Sequence, residues 1–189
     1  MKRIFKPGLS AIIWAVAWLA AWPGLAMSGE GEDFVYQQLA ETRTACRQRL
    51  KLGAAALAVL EDRNATPLAK TCAALAIGEL GYIQAIPVLI EQIDLKSALR
   101  LADEAAGIGN HWPCVQGLAG LGVAAVPALV EAYAAEKQEA RRELFKDAII
   151  FCKAYPEAKT YTQGLLAATK DPARRAALEK LLKLIPDKP

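Results

Sequence analysis

The chain has 189 residues, among them 23 Lys and Arg, 20 Asp and Glu and a single His, a length that allows one domain of ordinary size. Lys2, Arg3 and Lys6 account for the whole formal charge of +3, so the rest of the chain is balanced and lacks the basic footprint of a nucleic-acid binder. One histidine excludes a His-rich metal site, and neither a Cys-x-x-Cys-His haem motif nor a Gly-rich phosphate loop is present.

The N-terminus reads as an address. Behind the three basic residues, Leu9 to Trp22 is apolar apart from Ser10, Pro23-Gly24 breaks the run, and small residues follow around Ala26 and Ser28. That order is the pattern of a secretory signal peptide over residues 1–28, and it predicts export to the periplasm or the medium with no membrane attachment after cleavage. The apolar run is shorter than the roughly 20 residues that span a bilayer, which weighs against an uncleaved anchor. Residues 29–33, rich in Gly and acid, are expected to be a disordered lead-in to a domain over 34–189.

From Phe34 the pattern is helical and no strand period occurs anywhere. A loose 3.6-residue period predicts a helix over 34–52 stopped by Gly53, then a short apolar helix over 54–60 and a polar link over 61–66. Thr66-Pro67 is a start signal, a capping Thr before a Pro at the first helical position. The helix it opens, 67–80, places Leu68, Cys72, Leu75, Ala76 and Leu80 on one stripe and is stopped by Gly81. A second helix over 85–93 follows, with Ile86, Leu89, Ile90 and Ile93 inward. Ser97 to Ala106 reads as another helix, broken by Gly107, Gly109 and Pro113, and the helix resumes over 114–121 until Gly122. Its partner covers 123–135. A last pair is expected over 140–155, stopped by Pro156, and over 157–169. Asp171-Pro172 then caps a closing helix over 173–185 with a basic outer face.

Two stretches repeat. Ala85-Ile86-Pro87-Val88-Leu89-Ile90-Glu91 returns as Ala125-Val126-Pro127-Ala128-Leu129-Val130-Glu131, and each follows a helix ending in Leu-Gly, Leu80-Gly81 and Leu121-Gly122. A helix, a Gly turn and a second helix with Pro in its first turn make a unit that buries its apolar faces only by stacking on its neighbours. Leu75, Leu80, Ile86, Leu89, Leu118, Leu121, Val126 and Leu129 are the expected core of that stack. The same residues resemble the HEAT-like repeat family, the repeat type also found in phycobilisome lyases and in many bacterial proteins. The resemblance is carried by Ala74 to Gly81 leading into Ala85 to Glu91, and by Gly117 to Gly122 leading into Ala125 to Glu131. It implies an all-α right-handed superhelical stack, an α-solenoid, of about four helical hairpins with a C-terminal capping helix. It also implies a scaffold or adaptor that binds another protein along a face, without catalysis, cofactor, metal or small-molecule substrate. The lyase members imply the alternative, an accessory protein or chaperone that holds a client or cofactor during attachment.

Chemistry-bearing residues are few. Asn110, His111 and Trp112 sit in the glycine-rich interruption and are the candidate partner contact, since loops on a rigid scaffold carry most contacts. Cys114 three residues after His111 raises a thiol enzyme, which needs an activated thiolate and an oriented base. Asp103-Glu104 and the repeat-equivalent Glu91 and Glu131 are carboxylates without a complementary set. Cys46, Cys72, Cys114 and Cys152 each fall in or near the first helix of a successive unit, and export makes disulfides available. Neighbour pairs, Cys46 with Cys72 and Cys114 with Cys152, are the ones a stack can close. A one-residue offset between Cys72 and Cys114 relative to their glycines turns the two thiols about 100° apart, which leaves unbridged core cysteines as the other outcome.

Overall fold

A computed structural model of the protein describes residues 29–97 and 111–187, and among them every regular element is helical. The expected leader lies outside the described residues, as does nearly all of the expected helix over 97–106 and of the interruption that follows it.

The first helix, α1, runs from Gly29 to Glu61 as one piece of 33 residues, about 50 Å long at 1.5 Å per residue. It takes in residues 29–33, expected as a lead-in, and it passes straight through Gly53, where a stop was expected. Gly53 is a packing glycine: a Cβ there would lie 2.4 Å from Cγ of Tyr82, so the aromatic ring occupies the space a side chain would need. The chain divides into two compact units at Ala45–Cys46, inside α1, and the helices that follow belong to the second.

After α1 the chain forms α2 (Pro67–Leu80), α3 (Ile86–Glu91), α4 (Pro113–Leu121), α5 (Val126–Ala135), α6 (Glu139–Phe151), α7 (Tyr155–Ala168) and α8 (Pro172–Leu184). The predicted ends of α2 are set by its caps. Thr66 Oγ1 accepts from Ala69 N at 3.2 Å, and Gly81 takes the left-handed conformation at φ 67°. There the N–H of Gly81 donates to Gly78 O and that of Tyr82 to Ile77 O, the paired bonds of a Schellman cap. Gly122, at φ 58°, ends α4, and Asp171 caps α8 by accepting from Ala173 N at 3.0 Å. The expected helices over 85–93 and 123–135 begin instead as 3-10 turns, Ile83–Ala85 and Gly122–Ala125, before α3 and α5 take over. The tighter turn compensates for the missing N–H of Pro87 and Pro127 near each start. Pro156, expected as a stop, stands instead in the first turn of α7.

The buried face of α2 differs from the expected stripe. Leu68 is 49% exposed and Cys72 faces solvent, whereas Thr71, Ala73, Ala74, Ile77 and Gly78 are buried. The cause is the close approach of α4. A Cβ on Gly117 would lie 2.5 Å from Ala74 O, one on Gly78 would lie 2.7 Å from Gly117 O, and one on Gly120 would lie 3.0 Å from the Gly78 backbone. Backbone meets backbone, so small residues rather than leucines face the neighbour. Leu75 and Leu80 are consequently half-buried, while Ile86, Leu89, Leu118, Leu121, Val126 and Leu129 are core as expected.

The same contacts give the direction of packing. Moving from Ala74 to Gly78 along α2 matches moving from Gly117 to Gly120 along α4, so the two helices are parallel. Helix α6 lies on the far side of α4, and Cys152 at its end donates its S–H to Leu118 O at 3.6 Å, bringing the C-terminal ends of α4 and α6 together. Helices α3, α5 and α7 pack successively as a second layer, and α8 closes against α5 and α7 through Ala177, Leu178 and Leu181. The core between the layers includes Leu89, Leu118, Leu129, Tyr133, Ile149 and Leu178, all without exposed surface. The stretch Pro113–Ala135 is apolar and long enough to cross a bilayer by composition, but Gly122 and a 3-10 turn break it and more than half of its apolar 18-residue window is buried within the fold.

Candidate interaction surface

The C-terminal ends of α2, α4 and α6 define one edge of the first layer, and their starts define the other. His111 and Trp112 stand at the starting edge, because Pro113 opens α4 immediately after them. His111 is exposed and Trp112 half-buried, its ring packed on the core. Together with Lys96 and Ser97 they line a depression of about 450 Å³. The base of the intervening segment is closed: Ser97 N donates to His111 O at 2.9 Å. Trp112 is not helical, at φ −126° and ψ 85°, so α4 does not continue upstream through Pro113. Asn110, the third expected contact residue, lies outside the described residues, and so do Asp103 and Glu104.

Cys114 is unsuited to nucleophilic work. It sits in the first turn of α4 with no exposed surface, and burial first, then the Asp94 carboxylate, pushes its thiol up to about 12, with Lys70 opposing. A thiolate is the reactive form, and it is scarce at neutral pH under those conditions. Burial likewise pushes Cys152 up to about 12.

None of the four cysteines is bridged. Cys46 and Cys72 are exposed, Cys114 is buried and Cys152 half-buried. The expected pairs fail for geometric reasons. Cys46 and Cys72 are separately free at the exposed surface, and Cys152 meets α4 at Leu118, four residues or about 6 Å along the helix from Cys114.

The repeat-equivalent carboxylates have separate uses. Glu131 on α5 accepts from Tyr161 OH at 3.3 Å and pairs with Arg174, tying α5 to α7 and α8. Glu91 leaves its side chain in solvent and contributes its carbonyl, which accepts from Arg141 Nη2 at 3.2 Å.

Arg141 is the polar residue that sequence patterning missed. Its guanidinium pairs with Asp94 at 2.8 Å and with Glu136 at 3.1 Å, besides the carbonyl at the end of α3. Glu136 also accepts from the N–H groups of Lys137 and Gln138 at 2.8 and 2.9 Å, which holds its carboxyl below the usual range together with Arg141. These groups floor an open depression of about 480 Å³ bounded by Ile90, Lys137 and Phe145. Each of the three guanidinium nitrogens of Arg141 has a partner within the chain, so the cluster fastens α6 to α3. Nothing in the period or spacing of the sequence marks it, because Asp94, Glu136 and Arg141 are brought together only by the layering. Set beside known proteins, the chain matches no family model, no curated protein and no solved structure.

Proposed function

We propose that the chain is an exported protein–protein interaction scaffold of the HEAT-like kind, a right-handed α-solenoid without catalytic activity, whose leader is removed near Ala26 or Ser28. The observation that carries the reading is the parallel succession of α2, α4 and α6, with α3, α5 and α7 as a second layer, because repeating units in register create long edges suited to a partner chain. The contact is assigned to the starting edge, where His111 and Trp112 stand beside a depression on a rigid support.

Photo-crosslinking from position 111 in the exporting compartment tests it. A discrete crosslinked protein is expected, diminished by Trp112→Ala. Equal crosslinking in that variant would remove this edge from the reading. A chain retained in the cytoplasm at full mass would remove export.

A further inference from the structure

The link between α1 and α2 carries the one Asn-x-Thr triplet of the chain, Asn64-Ala65-Thr66. The other asparagine, Asn110, has Trp112 two residues on and no hydroxyl there. The folded structure leaves the triplet within reach of an enzyme. Asn64 and Thr66 are exposed, and the Asn64 carboxamide makes no hydrogen bond to any described residue. Only the backbone of Asn64 is used, its N–H donating to Asp62 Oδ1 at 2.8 Å. That bond makes Asp62, and not Asn64, the side chain that shapes the turn. Nor does the backbone call for an asparagine, since Lys153 is the sole non-glycine residue with a positive φ among those described. Thr66 Oγ1 accepts from Ala69 N at 3.2 Å, which leaves its hydroxyl hydrogen free to donate. Pro67 holds Thr66 extended, at φ −63° and ψ 152°.

We propose that Asn64 is a glycosylation site, modified on its side-chain nitrogen by an oligosaccharyltransferase of the exporting compartment. The proposal rests on the export part of the reading above. An Asn-x-Thr triplet on a surface link of an exported chain is the acceptor pattern for N-linked sugar. The donor is an oligosaccharide carried on a lipid pyrophosphate. Asn64 Nδ2 bonds to C1 of the first sugar while the C1–O bond to the pyrophosphate breaks. The lipid pyrophosphate departs with that electron pair, the amide proton passes to a carboxylate base of the transferase, and nothing is oxidised or reduced. The Thr66 hydroxyl donates to the transferase, which distinguishes this amide from any other on the surface. A sugar at this position displaces no contact, because the carboxamide holds none, so the folded chain is as good an acceptor as a nascent one. A plain solvated link would also be polar and exposed, but it would be indifferent to a hydroxyl two residues after the asparagine.

The whole chain, with its own leader, is produced in a bacterium that carries a membrane oligosaccharyltransferase, and the intact mass of the exported protein is measured. A mass raised by one oligosaccharide is expected, with the sugar on the peptide that holds Asn64. Asn64→Gln and Thr66→Val should lose the shift entirely, whereas Thr66→Ser, which keeps the hydroxyl, should retain it. Thr66→Val also removes the cap of α2, so Asn64→Gln is the cleaner variant: its side chain has no bond to lose, and it should melt like the parent. Exported protein at its unmodified mass would overturn the proposal, as would a shift that survives Asn64→Gln or Thr66→Val. A chain found only in the cytoplasm counts against export rather than against the acceptor. The purified, folded chain is then given the same transferase with a lipid-pyrophosphate oligosaccharide, where transfer to Asn64 supports the site and no transfer overturns it.

Discussion

Two helical glycines that look alike in sequence, Gly117 in the seam between α2 and α4 and Gly164 in α7, should answer the same substitution in opposite ways. Gly164 lies within α7 with nothing within 4 Å of where a Cβ would stand. Gly164→Ala should therefore gain the ordinary helix-propensity difference of about 1 kcal/mol, raising Tm by about 2–4 °C for a chain of this size. Gly117→Ala gains the same propensity but puts its Cβ 2.5 Å from Ala74 O. Ordinary contact is about 3.5 Å, so α4 must withdraw by about 1 Å, and a gap of that size forfeits roughly a quarter to a half of each dispersion contact across the seam. Overpacking of this kind costs about 1–3 kcal/mol, leaving a net loss of about 0–2 kcal/mol after the propensity gain and a Tm between unchanged and lower by about 8 °C. Urea titration followed by circular dichroism at the helix band measures both variants. The double variant Gly78→Ala with Gly117→Ala should cost less than the sum of its parts, since a seam opened once needs less further opening. A Gly117→Ala protein stabilised like Gly164→Ala would refute the backbone-to-backbone contact.

Lys153 is held at φ 53°, the position that Gly81 and Gly122 fill in the earlier turns, so Lys153→Gly should raise stability by about 1 kcal/mol in thermal melts. Leu118 and Leu89 have no exposed surface, and truncating either to Ala should cost about 2–5 kcal/mol in the same titration. Leu68→Ala, on the discarded stripe, should stay within about 0.5 kcal/mol. Thiol labelling of the native chain at pH 8 should modify Cys46 and Cys72 quickly and spare Cys114 and Cys152, whose thiols burial pushes up to about 12. Four labels should appear once the unreduced chain is denatured.

Helix ends were legible where a local interaction sets them. Thr66-Pro67, Gly81, Gly122 and Asp171-Pro172 act through bonds to their own first or last turn, which neighbouring helices do not alter. Helix faces were less legible, because a face is chosen by whatever arrives against it. Reading α2 by its largest side chains selected Leu68 and Cys72, but the parallel arrival of α4 on Ala74 and Gly78 decided the matter. Gly53 misled for the same reason, its role being set by Tyr82 from another element. At the candidate contact, the helix break before Pro113 was readable from composition. The half-burial of Trp112 and the fastening of α6 by Arg141 depend on contacts distant in sequence.

The hydrogen bond from Ser97 N to His111 O has a consequence for chain entropy. Ser97 and His111 stand within one hydrogen bond of each other, so the two ends of the chain between them are fixed. Closing a segment between fixed ends costs only about 0.6 kcal/mol more for each doubling of its length. Residues added between Ser97 and His111, within the 40-residue step from Pro87 to Pro127, should therefore cost the fold little in closure entropy.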